Sequence, residues 1–301
     1  MSKIVGVGGS VYDMLMVLDG FPVEDMKQSA KELRIQCGGP CAVAMIAASK
    51  LGVPVKFIGG VGADTYGEFE KKVLTSYGVD ISSMKTFEGK MSRVCLVLVN
   101  PENASRTCIG AGGEASFAMR PEDVDLSVLD GCEYVHLDGS NIEVAEYVAK
   151  AARERGIRVA IDCDVMSPAV ERLLPYVNVM IPSEQFVTKY ADESDPVKAA
   201  RILYEKMKPE LLVVTLGKKG GLIIKDGEME RYDAFSVKAV DSNGAGDIFH
   251  GAFLAACVKG MAPKEACTYA SAVSAIKCTR IGGADGTPYE DEVLKFLEEH
   301  K

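Results

Sequence analysis

Short apolar runs rich in β-branched residues recur along the chain at Lys3–Gly8, Val55–Gly60, Tyr134–Leu137, Arg158–Asp162, Val177–Ile181 and Leu211–Thr215. Their nearly continuous apolar character predicts strands covered on both faces rather than on one. Between them, Ala42–Leu51, Tyr66–Tyr77, Ile142–Arg155 and Val197–Lys208 carry amphipathic or small-residue helical patterns. Strand and helix in alternation predict an α/β fold, a three-layer sandwich with a mostly parallel central sheet.

Two segments break the alternation. Met14–Gln36 and Glu88–Cys108 show period-two patterns with no long helix between strands, and Arg93–Val99 with Ser105–Ile109 reads as a hairpin around Asn100-Pro101-Glu102-Asn103. These segments, approximately 14–36 and 88–112, are expected to form a small β-sheet lid over a site at the edge of the main sheet, or else a structural excursion without that role. With no repeat, low-complexity tract or flexible linker, residues 1–301 read as a single domain.

Composition narrows the function. A 301-residue chain has room for an ample core. Its net charge of −9 argues against a nucleic-acid groove or a polybasic membrane patch. Met1-Ser2-Lys3 runs into the first strand without the apolar stretch of a signal peptide, and no segment approaches the roughly 18 apolar residues of a membrane span. The nine cysteines, Cys37, Cys41, Cys95, Cys108, Cys132, Cys163, Cys257, Cys267 and Cys278, form no C-x-x-C pair and sit mostly among apolar neighbours. Reduced thiols in a cytoplasmic protein are expected.

The most informative stretch is Asp241-Ser242-Asn243-Gly244-Ala245-Gly246-Asp247, between a strand-like segment, Phe235–Val240, and a helical run, Ile248–Lys259. Three small residues at a helix start let backbone N–H groups converge, and the helix dipole adds partial positive charge, which makes an anion site. Asp247 in the first turn can accept a proton from an attacking hydroxyl while Gly244, Ala245 and Gly246 hold developing phosphate charge. A glycine-rich turn followed by an acidic first-turn residue is the plainer alternative.

This stretch, with Ile248-Phe249-His250-Gly251 after it, resembles the second signature of the ribokinase-like (PfkB) carbohydrate kinases. Four further segments match in order: Gly38-Gly39-Pro40 before a small-residue helix, Gly60-Val61-Gly62-Ala63-Asp64-Thr65-Tyr66-Gly67, Thr215-Leu216-Gly217-Lys218-Lys219-Gly220, and Lys277-Cys278-Thr279-Arg280-Ile281-Gly282-Gly283. The resemblance implies a ribokinase-like fold and phosphoryl transfer from ATP with Mg²⁺ to a hydroxyl of a small sugar. It implies Asp247 as general base and Asp13, Gly38, Gly39, Val43, Arg106 and Asp138 on the substrate side. Ser183, Thr215, Gly217, Gly220, Asn243 and Gly282 would face the nucleotide, and Asp241 and Glu184 would serve metal ions. In some members, carbonyls matching those near Asp241 and Asn243 bind a monovalent cation such as K⁺. A homodimer through the lid is also expected, because lid strands expose edges.

Departures from the family pattern bear on the substrate. Val43 stands where asparagine usually faces the sugar, Ser183-Glu184-Gln185-Phe186 replaces N-x-x-E, and Asp164 stands where asparagine is frequent. The combination of Asp162-x-Asp164, Ser183-Glu184 and Phe249-His250-Gly251-Ala252 is similar to sulfofructose kinases. Asp13-x₅-Asp19 ahead of Phe21-Pro22 is similar to ketohexokinases, so ketose-like substrates rank first. An anionic sugar would call for Arg93, Arg106, Lys27 or Lys31.

Other readings are a non-catalytic sugar or nucleotide sensor on the same fold, and a nucleoside or vitamin kinase. A dinucleotide-dependent dehydrogenase is disfavoured, because Val11 occupies the third glycine position after Gly6-Val7-Gly8. His136 and His250 read as packing residues, and His300 as a solvated one.

Overall fold

The computed structural model describes residues 1–102, 105–162 and 166–300. Its strands, in chain order, are β1 Ile4–Val7, β2 Val11–Val17, β3 Glu32–Gly38, β4 Val55–Ile58, β5 Gly60–Gly62, β6 Lys85–Phe87, β7 Arg93–Asn100, β8 Ser105–Gly112, β9 Tyr134–Leu137, β10 Arg158–Ile161, β11 Val179–Met180, β12 Leu211–Thr215, β13 Gly221–Lys225 and β14 Glu228–Tyr232. The helices are α1 Pro40–Lys50, α2 Thr65–Ser76, α3 Glu114–Ala118, α4 Ile142–Glu154, α5 Pro168–Glu171, α6 Glu184–Ala191, α7 Pro196–Met207, α8 Ala245–Val258, α9 Pro263–Cys278 and α10 Glu290–Glu299.

Eight strands form the main sheet in the order β14-β13-β12-β11-β10-β9-β1-β4. It is parallel from β12 to β4, with β13 and β14 added antiparallel at one edge. Side chains of a strand point alternately to opposite faces, and the core divides accordingly. Ile4, Phe57, Ala160, Val179 and Val213 pack with α1, α8 and α9. Val5, Ile58, Val159, Met180 and Val214 pack with α4, α6 and α7. Each strand therefore needs apolar residues at consecutive positions, which is the continuous pattern the sequence carries.

Helix α8 is buried at every position from Ile248 to Ala256, at the centre of one layer. Gly251 permits its close crossing with α1, for a Cβ there would lie 2.1 Å from the Ala44 carbonyl oxygen. A helix fixed this firmly presents its N-terminus as a rigid platform.

A second sheet, in the order β3-β2-β7-β8, lies off the main one. β7 and β8 form the hairpin the sequence suggests, with Val97 opposite Cys108 and Asn100 opposite Ser105. Register puts Asp13 opposite both Gln36 and Cys95. By alternation Leu15, Val17, Val97 and Val99 share that face, and they form a third small cluster joined by Ile281.

One predicted element is absent. Phe235–Val240 forms no strand. Its alternating apolar residues instead wall a cleft, where Phe235 and Val237 are half-buried, and the Val240 N–H donates to the Cys278 carbonyl at 2.8 Å. A period-two pattern reports two differing sides of a chain, and here the two sides are cleft and solvent rather than two faces of a sheet.

Candidate functional site

The N-terminus of α8 opens beside a cleft of about 620 Å³. Gly244 caps the helix in a left-handed conformation, φ 73°, and Ile248 N–H donates to its carbonyl at 2.9 Å. A Cβ on Gly246 would meet no atom within 4 Å, so the backbone of the first turn faces open space. Ala245 and Gly246 line the cleft with Ser242 and Phe249, and Thr215, Gly217, Lys218 and Gly220 face them from the end of β12. The remaining wall is largely apolar and includes Tyr232, Phe235, Val237, Ala275 and Cys278. The volume and lining suit a ligand with a flat apolar part and a polar end.

Asp247, in the first turn of α8, is half-buried. Asp13 approaches from β2 and is 7% exposed. Burial, together with the charges of Cys108 and Asp247, pushes its carboxyl up to about 7. The carboxylate rests against Gly38, where a Cβ would be 2.2 Å from Asp13 Oδ2, so any other residue there would displace it. Gly39 adopts φ 95°, and a Cβ there would lie 2.5 Å from the Gly9 carbonyl oxygen. Val43 is buried one turn into α1, and its Cγ1 would be 3.7 Å from a Cβ on Gly244, so it packs beneath the turn that opens α8.

Asp138 reaches the same end of the sheet but is already engaged. Its Oδ2 accepts from Gly9 N–H at 2.9 Å and Cys41 N–H at 3.3 Å, and its Oδ1 accepts from Ser140 N–H and Oγ at 2.9 and 2.6 Å. It clamps the Gly8–Gly9 turn to the start of α1. Asp241 is likewise occupied. Its Oδ1 accepts from Asn243 N–H and its Oδ2 from Gly282 N–H, both at 2.8 Å, and Lys277 stands beside it.

Ser183 caps α6, accepting from Phe186 N–H at 3.2 Å, and bridges in parallel to Thr215. Glu184 meets Lys219 at 3.2 Å beside the Gly217–Lys219 turn. Asp64 explains its own motif. Its carboxylate accepts from Gly67 N–H, Ser92 N–H and Ser92 Oγ, all at 2.8 Å, and so joins the start of α2 to the approach of β7.

Register places Arg106 and Arg93 on the same face of the second sheet as Asp13. Lys31 instead pairs with Asp19 at 2.6 Å, away from that face, and both are well exposed. His136 and His250 pack ring to ring at 5.4 Å, with His250 Nε2 3.5 Å from Asp162 Oδ1. Burial drives the His136 imidazole down to about 4 and lowers His250 as well. Asp164, Cys163 and Asn103 lie outside the described residues. The eight described cysteines form no disulfide.

Three residues near the site are given no role by the motifs. Gln36, 1% exposed, accepts from Gly283 N–H at 3.0 Å. Its signal was only its place just before Cys37 and the Gly38–Gly39 pair. Cys108 faces the site from β8, and its thiol is lowered to about 6 by a hydrogen bond from Cys95 and by Arg106. Lys277, fully buried, carried no signal beyond its position in a motif.

The family model for pfkB carbohydrate kinases matches residues 1–290. Ribokinase of Haemophilus influenzae is 28% identical, the match covering 99% of each chain. Mouse ketohexokinase is also 28% identical, over 94% of this chain and 98% of its own. Arabidopsis thaliana ribokinase, solved with ribose and ATP, superposes with a TM-score of 0.87 at 25% identity over 99% of both chains.

Proposed function

Because the chain belongs to the pfkB family of carbohydrate kinases, we propose that it transfers the γ-phosphoryl group of ATP to a hydroxyl of a small, ketose-like sugar. The observation that carries this reading is the open first turn of α8, with Asp247 on it, between the Thr215–Gly220 side of the cleft and the buried Asp13.

The adenine and ribose of ATP would lie along the apolar wall, with the phosphates at the α8 N-terminus. Asp13 would accept hydrogen bonds from sugar hydroxyls, and the glycines at 38 and 39 let the sugar approach backbone. Asp247 would take the hydroxyl proton as the oxygen attacks the γ-phosphorus in line and the bond to the bridging oxygen of ADP breaks. The N–H groups of the first turn would hold the charge that develops on the transferred group. Phosphoryl transfer demands positioning and charge stabilisation above all, and a helix buried along its length supplies a fixed frame for both.

Among the described residues no three His, Cys, Asp or Glu side chains converge as a metal cage. Mg²⁺ binds through substrate phosphates, waters and one or two carboxylates. Glu184, paired with Lys219 at 3.2 Å, would be the carboxylate that serves it, acting through water. When bound, Mg²⁺ would neutralise phosphate charge.

The preference for a ketose rests on the Asp13 region and on the mouse ketohexokinase match. Arg93 and Arg106, on the same face of the second sheet as Asp13, would suit a sugar bearing a sulfonate or phosphate. That sheet is read as a lid, and its outer face as a contact between two copies of the chain.

The test is ADP release from ATP and Mg²⁺ across ketohexoses, sulfofructose, aldopentoses, sugar phosphates, inositols and nucleosides. Asp247→Asn should lower turnover about 10²- to 10⁴-fold while leaving nucleotide binding nearly intact. Unchanged turnover would remove Asp247 as the base. Silence across the panel, with ATP still bound, would favour a sensor.

A further inference from the structure

Lys277, in the last turn of α9, exposes no surface. A buried ammonium persists only when oxygen atoms satisfy it. Here both kinds of oxygen come from one residue: its Nζ donates to the Asp241 carbonyl at 2.8 Å and lies 3.4 Å from Asp241 Oδ2. Burial lowers the Lys277 pKa, and the Asp241 charge opposes that loss. Gly286 lies beside the lysine stem, a Cβ there being 3.5 Å from Lys277 Cε, in ordinary contact.

Asp241 in turn holds two loops. Its carboxylate accepts from Asn243 N–H on the turn leading to Gly244, and from Gly282 N–H on the C-terminal loop. One positive charge thus braces the residue that sets the backbone ahead of α8. The Asp241 carbonyl and carboxylate are the donors an alkali cation would use, and the ammonium already occupies them. A K⁺ ion expected near Asp241 and Asn243 does not fit alongside it.

We propose that Lys277 is a tethered cation that replaces a monovalent metal ion at the base of the phosphate-binding turn, so that the enzyme works without K⁺. An ammonium carries the same charge as K⁺ and prefers the same oxygen atoms. Being covalently attached, it holds the turn whatever the ionic composition. Lys277 is therefore a positioning residue, acting on the anion hole through Asp241. The link to turnover rests on the kinase reading; the bracing itself does not.

The experiment measures melting temperature and turnover of the full chain in tetramethylammonium, sodium and potassium chloride at matched ionic strength. For the natural chain, K⁺ is expected to change the melting temperature by less than about 1 °C and turnover by less than about twofold. For Lys277→Ala, K⁺ or NH₄⁺ is expected to raise the melting temperature by about 2–4 °C and to restore turnover at least about tenfold, with tetramethylammonium doing neither. Stimulation or stabilisation of the natural chain by K⁺ would overturn the proposal, and that arm remains decisive if the variant does not fold. A folded variant indifferent to K⁺ and NH₄⁺ would overturn it equally. Loss of the functional reading alone would appear as no turnover on any substrate with the melting responses still as expected.

Discussion

The backbone N–H of Gly283 donates to Gln36 Oε1 at 3.0 Å, joining the second sheet to the loop that follows α9. Arg34 adds a hydrogen bond from its Nη1 to the Ile281 carbonyl at 2.9 Å, and Ile281 packs against the Leu15–Val99 cluster. Gln36 is also the register partner of Asp13. Asp13, the second sheet that carries it and the loop after α9 therefore form one connected unit. Gln36→Ala would leave the Gly283 N–H without its partner. Losing one such hydrogen bond predicts KM increases of about 2- to 10-fold for sugar and ATP together. Steady-state kinetics with both substrates varied would check this, and a change confined to the sugar would disconnect the two sides.

Asp13 gives the activity a pH signature. With its carboxyl pushed up to about 7, chiefly by burial, a large part of it is protonated at neutral pH. Hydrogen bonds from sugar hydroxyls favour the charged form, so kcat/KM for the sugar should rise with pH and level off above about 7. Asp13→Asn should abolish that inflection and lower kcat/KM by at least about tenfold. A profile with the same inflection in the variant would assign it to another group.

Glu70 makes the opposite kind of statement, about stability. It is fully buried on α2, accepts a hydrogen bond from Ser10 Oγ, and has its second oxygen unpartnered. Burial, with the charges of Asp64 and Asp13, pushes its carboxyl up to about 8, against the Ser10 hydrogen bond. The folded state then binds more protons than the unfolded state between about 4.5 and 8. Its contribution is fully present below the lower value and is lost as pH rises through the upper one. Glu70→Gln keeps the shape without the charge, so its melting temperature should exceed the parent's by about 2–4 °C near pH 8 and converge with it near pH 5. Equal pH slopes for both proteins would refute the assignment.

The main sheet was legible because its strands are buried on both sides, a demand that writes itself into consecutive residues such as Leu211–Val214. The glycine turn ahead of α8 was legible for a related reason: the left-handed backbone at Gly244, φ 73°, and the approach of Gly283 Cα to 3.1 Å of a Cβ built there call for a residue without a side chain. The partners of Asp138 were not legible, because an acid at a strand end looks alike whether it meets a ligand or the chain's own N–H groups. Gln36 and Lys277 stayed hidden because their partners, Gly283 and Asp241, are distant in sequence, and no local pattern records such a meeting.

The outer face of the second sheet carries the last prediction. Alternation sends Asp13, Gln36 and Cys95 to one side and Met14, Met16, Ile35, Leu33, Leu96 and Ile109 to the other. Leu33 and Ile109 are each 55% exposed and Ile35 is 38% exposed, so an apolar surface faces outward across the four strands. Charged groups usually guard such a sheet, and a contiguous apolar face this broad marks a contact surface. A second copy of the chain offers a self-complementary partner, as closed twofold pairs do. Sedimentation should give a dimer for the parent at micromolar concentration. Ile35→Lys places a charge on the β3 edge of the face and should shift the species to monomer without lowering the melting temperature of the fold by more than about 2 °C. A monomeric parent under those conditions would rule out the pairing, and a dimeric variant would move the interface elsewhere.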